Sequence, residues 1–240
     1  MRQITSCSDL KDLLAQRLGQ PRCHKAFQTP FIALDAVAPG GAFQFGAVHE
    51  LLAVPADPLP ASFALLLAEA AVAAGSDHSG AVVVWSDPRR ELYVPALAAA
   101  GLALDRLVLL RPKRPADELQ MLMECLRCCA VLATVAAVGK LTRVEARRLQ
   151  LAAERGGGVG LFLRRFDVRS NAPYAAATRW LVTPAPGSDD AQRWSVELMH
   201  GHGGRVGERV LLEVNRESGE VHAVRPPAAV ADRPAATASA

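Results

Sequence analysis

Any chemistry in this chain of 240 residues would centre on one strand and the loop that follows it. Gly46-Ala-Val-His-Glu-Leu-Leu-Ala53 is apolar enough for a buried strand, and Val54-Pro-Ala-Asp-Pro-Leu-Pro-Ala-Ser62 leads from it into a helical run over residues 63–74. A strand, a tight loop and a helix opening in that order commonly cradle a nucleotide phosphate, because successive backbone N–H groups and the helix N-terminus point at the anion. The sequence that builds such a cradle is G-x-x-x-x-G-K-[ST]. Here no glycine lies between Ala53 and Ser62, no lysine is present, and Pro55, Pro58 and Pro60 each lack the N–H that the cradle uses. Ala53, Pro55, Pro58, Pro60, Ala61 and Ser62 therefore form a degenerate phosphate loop: the position is right and the donors are missing.

Three further clusters carry suitable residue types. Asp87, Arg89, Arg90 and Glu91 follow the apolar run Ala81-Val-Val-Val-Trp-Ser86, at a strand end where open α/β sheets place chemistry, although a helix N-cap with a charged first turn is the plainer explanation of them. Arg164, Arg165, Arg169 and Arg179 bracket a loop containing Tyr174 and bordered by Phe166; guanidiniums on phosphates with one or two stacking rings would suit single-stranded DNA, while Asp167 dilutes the charge. Leu10, Leu13, Leu14 and Leu18 recur at helical spacing and are a candidate partner-binding stripe. Weaker signals are plain. His200-Gly-His202-Gly-Gly204 lacks a third ligand and reads as a glycine-rich hairpin turn. Arg147-Arg148 reads as a solvated or partner-facing patch. Cys125-Leu-Arg-Cys128-Cys129 lies late in a helical run, where no helix N-terminus lowers a thiol pKa, so these cysteines read as small buried hydrophobes. No catalytic residue, cofactor or metal is expected.

The elements that must position these groups alternate. Apolar strands at 47–53, 81–86, 106–111, 131–138 and 159–164 are separated by helical runs at 63–74, 91–100, 115–129 and 142–154, the last opened by a Thr142-x-x-Glu145 capping box. Such alternation implies parallel β-α-β units with right-handed crossovers. A short helical piece is expected at 34–37, within the segment leading to the first of these strands. After residue 165, extended runs at 179–183, 193–200, 210–214 and 220–224 read as antiparallel strands closing one edge of the sheet. Residues 1–25 are expected to hold an amphipathic helix (6–18) and a linker, 26–225 the α/β domain, and 226–240 a disordered tail. The net charge of +3 is segregated: residues 106–165 carry +7 and 26–105 carry −6, and 23 of the 27 basic residues are Arg, whose forks suit phosphate and carboxylate. No apolar run approaches the ~20 residues of a membrane span, the N-terminus lacks a signal-peptide core, and five cysteines do not pair evenly. A cytoplasmic protein is expected.

Residues 27–183 resemble the core of the RecA recombinase superfamily. Leu34-Asp35, Gly40-Gly41 and Gly46-x-Val48-x-Glu50-Leu51 look like the segment leading into the RecA phosphate loop. With Asp87-Pro-Arg-Arg-Glu-Leu-Tyr93, Ala100-Gly-Leu102, Asp105-Arg-Leu107, Arg111-Pro-Lys-Arg-Pro115, Arg147-Arg-Leu-Gln-Leu-Ala-Ala-Glu154 and Thr178-Arg-Trp180, the series is similar to the ImuA family, RecA-like proteins of bacterial error-prone polymerase cassettes. The resemblance implies an α/β, RecA-like P-loop-type core with a mostly parallel central sheet flanked by helices and antiparallel strands at its C-terminal edge. It implies a non-catalytic accessory role in SOS-induced translesion DNA synthesis and DNA repair, as adaptor for an ImuB-like Y-family polymerase homologue, RecA, an error-prone replicative-type polymerase or single-stranded DNA. Two alternatives are a DNA-dependent ATPase with a rearranged nucleotide site and, because the family has been related to SulA, a SulA-like cell-division inhibitor. The chain departs from RecA where Pro60-Ala61-Ser62 replaces Gly-Lys-Thr and where Val138-Gly139-Lys140 supplies no carboxylate for Mg²⁺ at the fourth strand end. Both halves of a metal–phosphate site are missing together.

Overall fold

The computed structural model describes residues 1–16, 25–75, 81–166 and 175–215, with the backbone of 221–224. Arg169, Tyr174, Leu18, Cys23 and the tail at 226–240 lie outside them. In chain order the elements begin with β1 (Arg2–Ile4), α1 (Cys7–Ala15), β2 (Ala26–Phe27), α2 (Ile32–Val37) and β3 (Phe43–Gln44). The alternating body follows: β4 (Ala47–Ala53), α3 (Ala61–Ala74), β5 (Val82–Ser86), α4 (Val94–Ala99), β6 (Leu107–Leu110), α5 (Pro115–Arg127), β7 (Val131–Ala137), α6 (Arg143–Gly156) and β8 (Val159–Arg165). It closes with β9 (Thr178–Ala185), β10 (Ala191–Gly201), β11 (Arg209–Asn215) and β12 (Val221–Val224).

One ten-stranded sheet runs β1-β6-β5-β7-β8-β4-β9-β10-β11-β12. Every pairing from β1 to β9 is parallel; β9–β10, β10–β11 and β11–β12 are antiparallel. The central strands are buried on both faces, which is why they read as continuous apolar runs. On one face, α2, α3 and α4 pack around Leu51, Phe63, Leu67, Trp85 and Trp180. On the other, α1, α5 and α6 pack around Val48, Val84, Leu122, Leu149 and Phe162. A small β2–β3 sheet stacks Phe27 on Phe43 and, through Phe43, reaches Trp180.

The run at 179–183 forms the expected antiparallel hairpin with β10, and on its other side β9 pairs in parallel with β4, so it joins the two parts of the sheet. Two expectations change. The helix expected over 91–100 starts at Val94, because Arg90 takes a left-handed φ of 58° and the Asp87 carboxylate holds the N–H groups of Glu91 and Leu92 in a turn. The N-terminal segment is part of the body: β1 extends the sheet beside β6, and α1 lies on α5.

Candidate functional site

The loop after β4 sits at the strand's carboxyl end and feeds α3, as a phosphate cradle would, but its hydrogen bonding runs the other way. Asp57 N–H closes a turn on Val54 O (3.1 Å), and Ala61 N–H closes on Leu59 O (2.8 Å). The Arg165 guanidinium, at the end of the neighbouring β8, donates to Val54 O (3.2 Å) and to Asp57 O, and Phe166 N–H donates to Ala53 O. The loop thus offers carbonyls to a cation where a phosphate site offers N–H groups to an anion. Pro60 precedes the first turn of α3 with no side-chain cap. Ser62 Oγ accepts from Gln192 Nε2 of β10 (2.9 Å). Between Pro58–Ser62 and the β9–β10 hairpin lies a cleft of about 390 Å³ bordered by Val182, Pro184, Gln192, Arg193 and Trp194. Two strands away, β7 ends at Ala137, and exposed Gly139 and Lys140 follow without a carboxylate.

Of the DNA-binding candidates, the structure brings Arg164 and Arg179 together on a residue that the sequence reading did not assign to a site. Glu50 lies in the middle of β4 between β8 and β9, its side chain 3% exposed. Arg164 Nη1 donates to one carboxylate oxygen at 2.5 Å and Arg179 Nε to the other at 2.8 Å. Both arginine side chains are 17% exposed. Their charge is committed to a buried carboxylate, and Arg165 is committed to loop carbonyls. This is a structural reason for three arginines in that neighbourhood, distinct from the DNA contact expected. The available signal was Glu50 itself, a lone charge in an otherwise apolar strand, since a buried carboxylate needs paired cations and hydrogen bonds.

His49, next to Glu50 and facing the opposite side of the sheet, is fully buried in a directed chain of hydrogen bonds. Gln44 O can only accept, so His49 Nε2 carries the proton (3.0 Å) and Nδ1 is the acceptor. Thr178 Oγ1–H donates to Nδ1 (2.7 Å), and the same oxygen accepts from Trp180 Nε1–H (2.7 Å). Burial lowers the His49 pKa to about 4, fixing a neutral ring. A smaller cavity of about 230 Å³ lies beside it, lined by Pro39, Gln44, Thr178, His200 and His202. Asp35, from the Leu34-Asp35 pair, accepts twice from Thr29 N–H (3.0 and 3.1 Å) and so ties the turn before α2.

The remaining candidates resolve into scaffold. Asp87 is 5% exposed and bound through one oxygen to Arg111 Nε and Nη2 (3.0 and 2.7 Å) and through the other to the Glu91 and Leu92 N–H groups. Arg89, Arg90 and Glu91 are exposed. Leu10, Leu13 and Leu14 do not present a surface: they are 0%, 5% and 8% exposed, buried with Met121, Leu122 and Cys125 of α5. Their burial contributes about 5 kcal/mol before the entropic cost, which is why the stripe turns inward. Cys125 is buried, which pushes its thiol pKa up, and none of the four described cysteines forms a disulfide. No helix among the described residues is long and apolar enough to cross a membrane.

No family model matches the chain. It is 31% identical over 227 residues to Protein ImuA of Caulobacter vibrioides, in each of two strains, with 87% of this chain and 91% of that protein covered. With β4, its loop and the Glu50 pairings all inside one continuous body, and with identity sustained over nearly the whole length, the chain belongs to the ImuA family.

Proposed function

We propose that this chain is a non-catalytic, RecA-like accessory protein of SOS-induced translesion synthesis and DNA repair, an adaptor for a Y-family-like polymerase partner, RecA and/or DNA. Membership in the ImuA family supports the mutagenesis context. The RecA-like reading draws on the parallel β-α-β body with a loop-to-helix transition at the end of an interior strand. One observation carries the non-catalytic reading: the loop that would wrap a phosphate is held by Arg165 through its own carbonyls. Three prolines and the missing lysine leave it without the donors, and the β7 end brings no carboxylate for a metal.

A second reading, a DNA-dependent ATPase with a rearranged nucleotide site, draws on the 390 Å³ cleft beside the loop. Calorimetry with ATP and Mg²⁺ separates the two. The adaptor reading expects no binding heat at millimolar nucleotide; saturable binding would restore the enzyme. Affinity purification from DNA-damaged cells, read by mass spectrometry, tests the partner class. It should recover polymerase subunits or RecA, and recovery of neither overturns the adaptor.

A further inference from the structure

The helix α6 has two apolar sides. Leu149, Ala152, Ala153 and Gly156 face the sheet. On the outside, Val144 (59% exposed) and Leu151 (40%) stand one heptad apart, two of the six exposed large apolar side chains among the described residues. Arg148 and Arg155, both exposed, fall at i+4 and i+11 from Val144, so the four side chains share a strip about 60° wide. Arg147 flanks it, in an exposed 3.6 Å pair with Glu154. Lys140 and Arg143 extend the charge toward the N-terminus. The acidic groups on this helix are Glu145, which faces Thr142 in the capping box and Arg148 across a turn, and Glu154, which also accepts from Gln150. Five basic residues against two acidic ones between 140 and 155 leave the strip positive.

We infer that the outer face of α6 docks an acidic amphipathic helix of a partner protein. Apolar residues at heptad spacing on the partner would cover Val144 and Leu151, and carboxylates beside them would meet Arg148, Arg155 and Arg147. An apolar line with arginines interleaved suits that occupant. A nucleic acid would want aromatic rings for stacking, and the strip has none. A membrane surface would want a broader apolar face with Trp or Phe, and the inner face of α6 is already buried. The inference deepens the adaptor reading by giving it a surface and a partner chemistry. It concerns a helix face separate from the phosphate-like loop, so the nucleotide titration and the test below can fail independently.

The test uses the full chain and a fluorescent helical peptide about three heptads long, with Leu at a and d and Glu at e and g, read by anisotropy. The peptide should bind, and more weakly as salt rises; a twin with Gln for Glu should bind about tenfold more weakly. Leu151→Ser, and separately Arg148→Glu with Arg155→Glu, should each weaken the Glu peptide by about tenfold or more while the chain stays folded, the charge reversal lowering the thermal melt by only a few degrees because Arg148 faces Glu145 and Arg155 lies in the last turn of α6. The charge-reversed variant should instead take up a Lys twin of the peptide. Absence of binding by the Glu peptide, or binding untouched by both variants, overturns the inference. So does loss, in the same variants, of binding to a single-stranded oligonucleotide or to phosphatidylserine vesicles while peptide binding persists.

Discussion

Replacing Glu50 with Gln tests whether the arginines around β4 serve the fold. The substitution keeps shape and removes the charge shared by Arg164 and Arg179. Breaking a fully buried ion pair costs about 3–5 kcal/mol, most of it from the charge left behind. Here the charges left behind sit on arginine side chains 17% exposed, so water recovers part of that cost and roughly 2–3 kcal/mol is expected. In a chain of this size each kcal/mol moves the midpoint by about 2–4 °C, giving a fall of about 5–10 °C. The assay is thermal and urea unfolding of Glu50→Gln beside Glu197→Gln, which removes the exposed pair with Arg209 (65% exposed) and should cost under about 0.5 kcal/mol. Equal shifts in the two variants, or a Glu50→Gln melt within about 1 °C of wild type, would refute the structural role. A rise in single-stranded DNA affinity on the same substitution would show that these arginines reach DNA once their carboxylate is neutralised.

The remaining predictions concern pH, packing and capping. His49 is held neutral with its pKa near 4, against 6.5 when unfolded, so the unfolded chain takes up a proton first as pH falls; stability should drop by up to about 3 kcal/mol between pH 7 and 4, and urea midpoints for His49→Gln should lose that slope. Glu69 acts in the opposite sense: burial raises its carboxyl to about 7 and leaves Oε1 without a hydrogen-bond partner, so its contribution declines as pH rises from about 4.5 through 7, and Glu69→Gln should flatten that limb. Gly156→Ala would place a Cβ 1.9 Å from Leu126 O, a collision between two backbones; a loss of about 3 kcal/mol or more is expected, and an unchanged melt would mean that α5 and α6 shift freely. Thr142→Ala removes the capping box of α6 and should cost about 1 kcal/mol in urea unfolding.

The body of the fold was legible because parallel strands buried on both faces, such as 82–86 and 131–137, stand out as apolar runs, and because Thr142 and Glu145 announce α6. Strand direction was less legible. Residues 178–185 alternate like an antiparallel strand since one face carries Trp180 and Val182 and the other is half-exposed, yet backbone pairing with β4 is parallel. The three-residue β1 carries too little pattern to announce an edge strand. At the site, the missing loop donors could be read directly, as absences of residue types. The roles of Arg164, Arg165 and Arg179 could not, because each is fixed by a partner more than a hundred positions away.

The seam between β4 and β9 has a consequence for how the sheet is assembled. Only four residue pairs span it, His49 with Thr178 through Leu52 with Leu181, too short a run for backbone bonds to choose among neighbouring alignments. Side chains on both faces make that choice: Thr178 keys into His49 on one side, and the next pair, Arg179 and Glu50, keys into place on the other. A slip of one position would turn Trp180 out of the core and break both keys together. Opposed chemical keys on adjacent pairs therefore act as a vernier. Because β9 carries β10 to β12, the setting of that vernier also fixes where Gln192 and Trp194 meet the proline loop, so a perturbation at the seam would shift the whole antiparallel wing against the cleft as one piece.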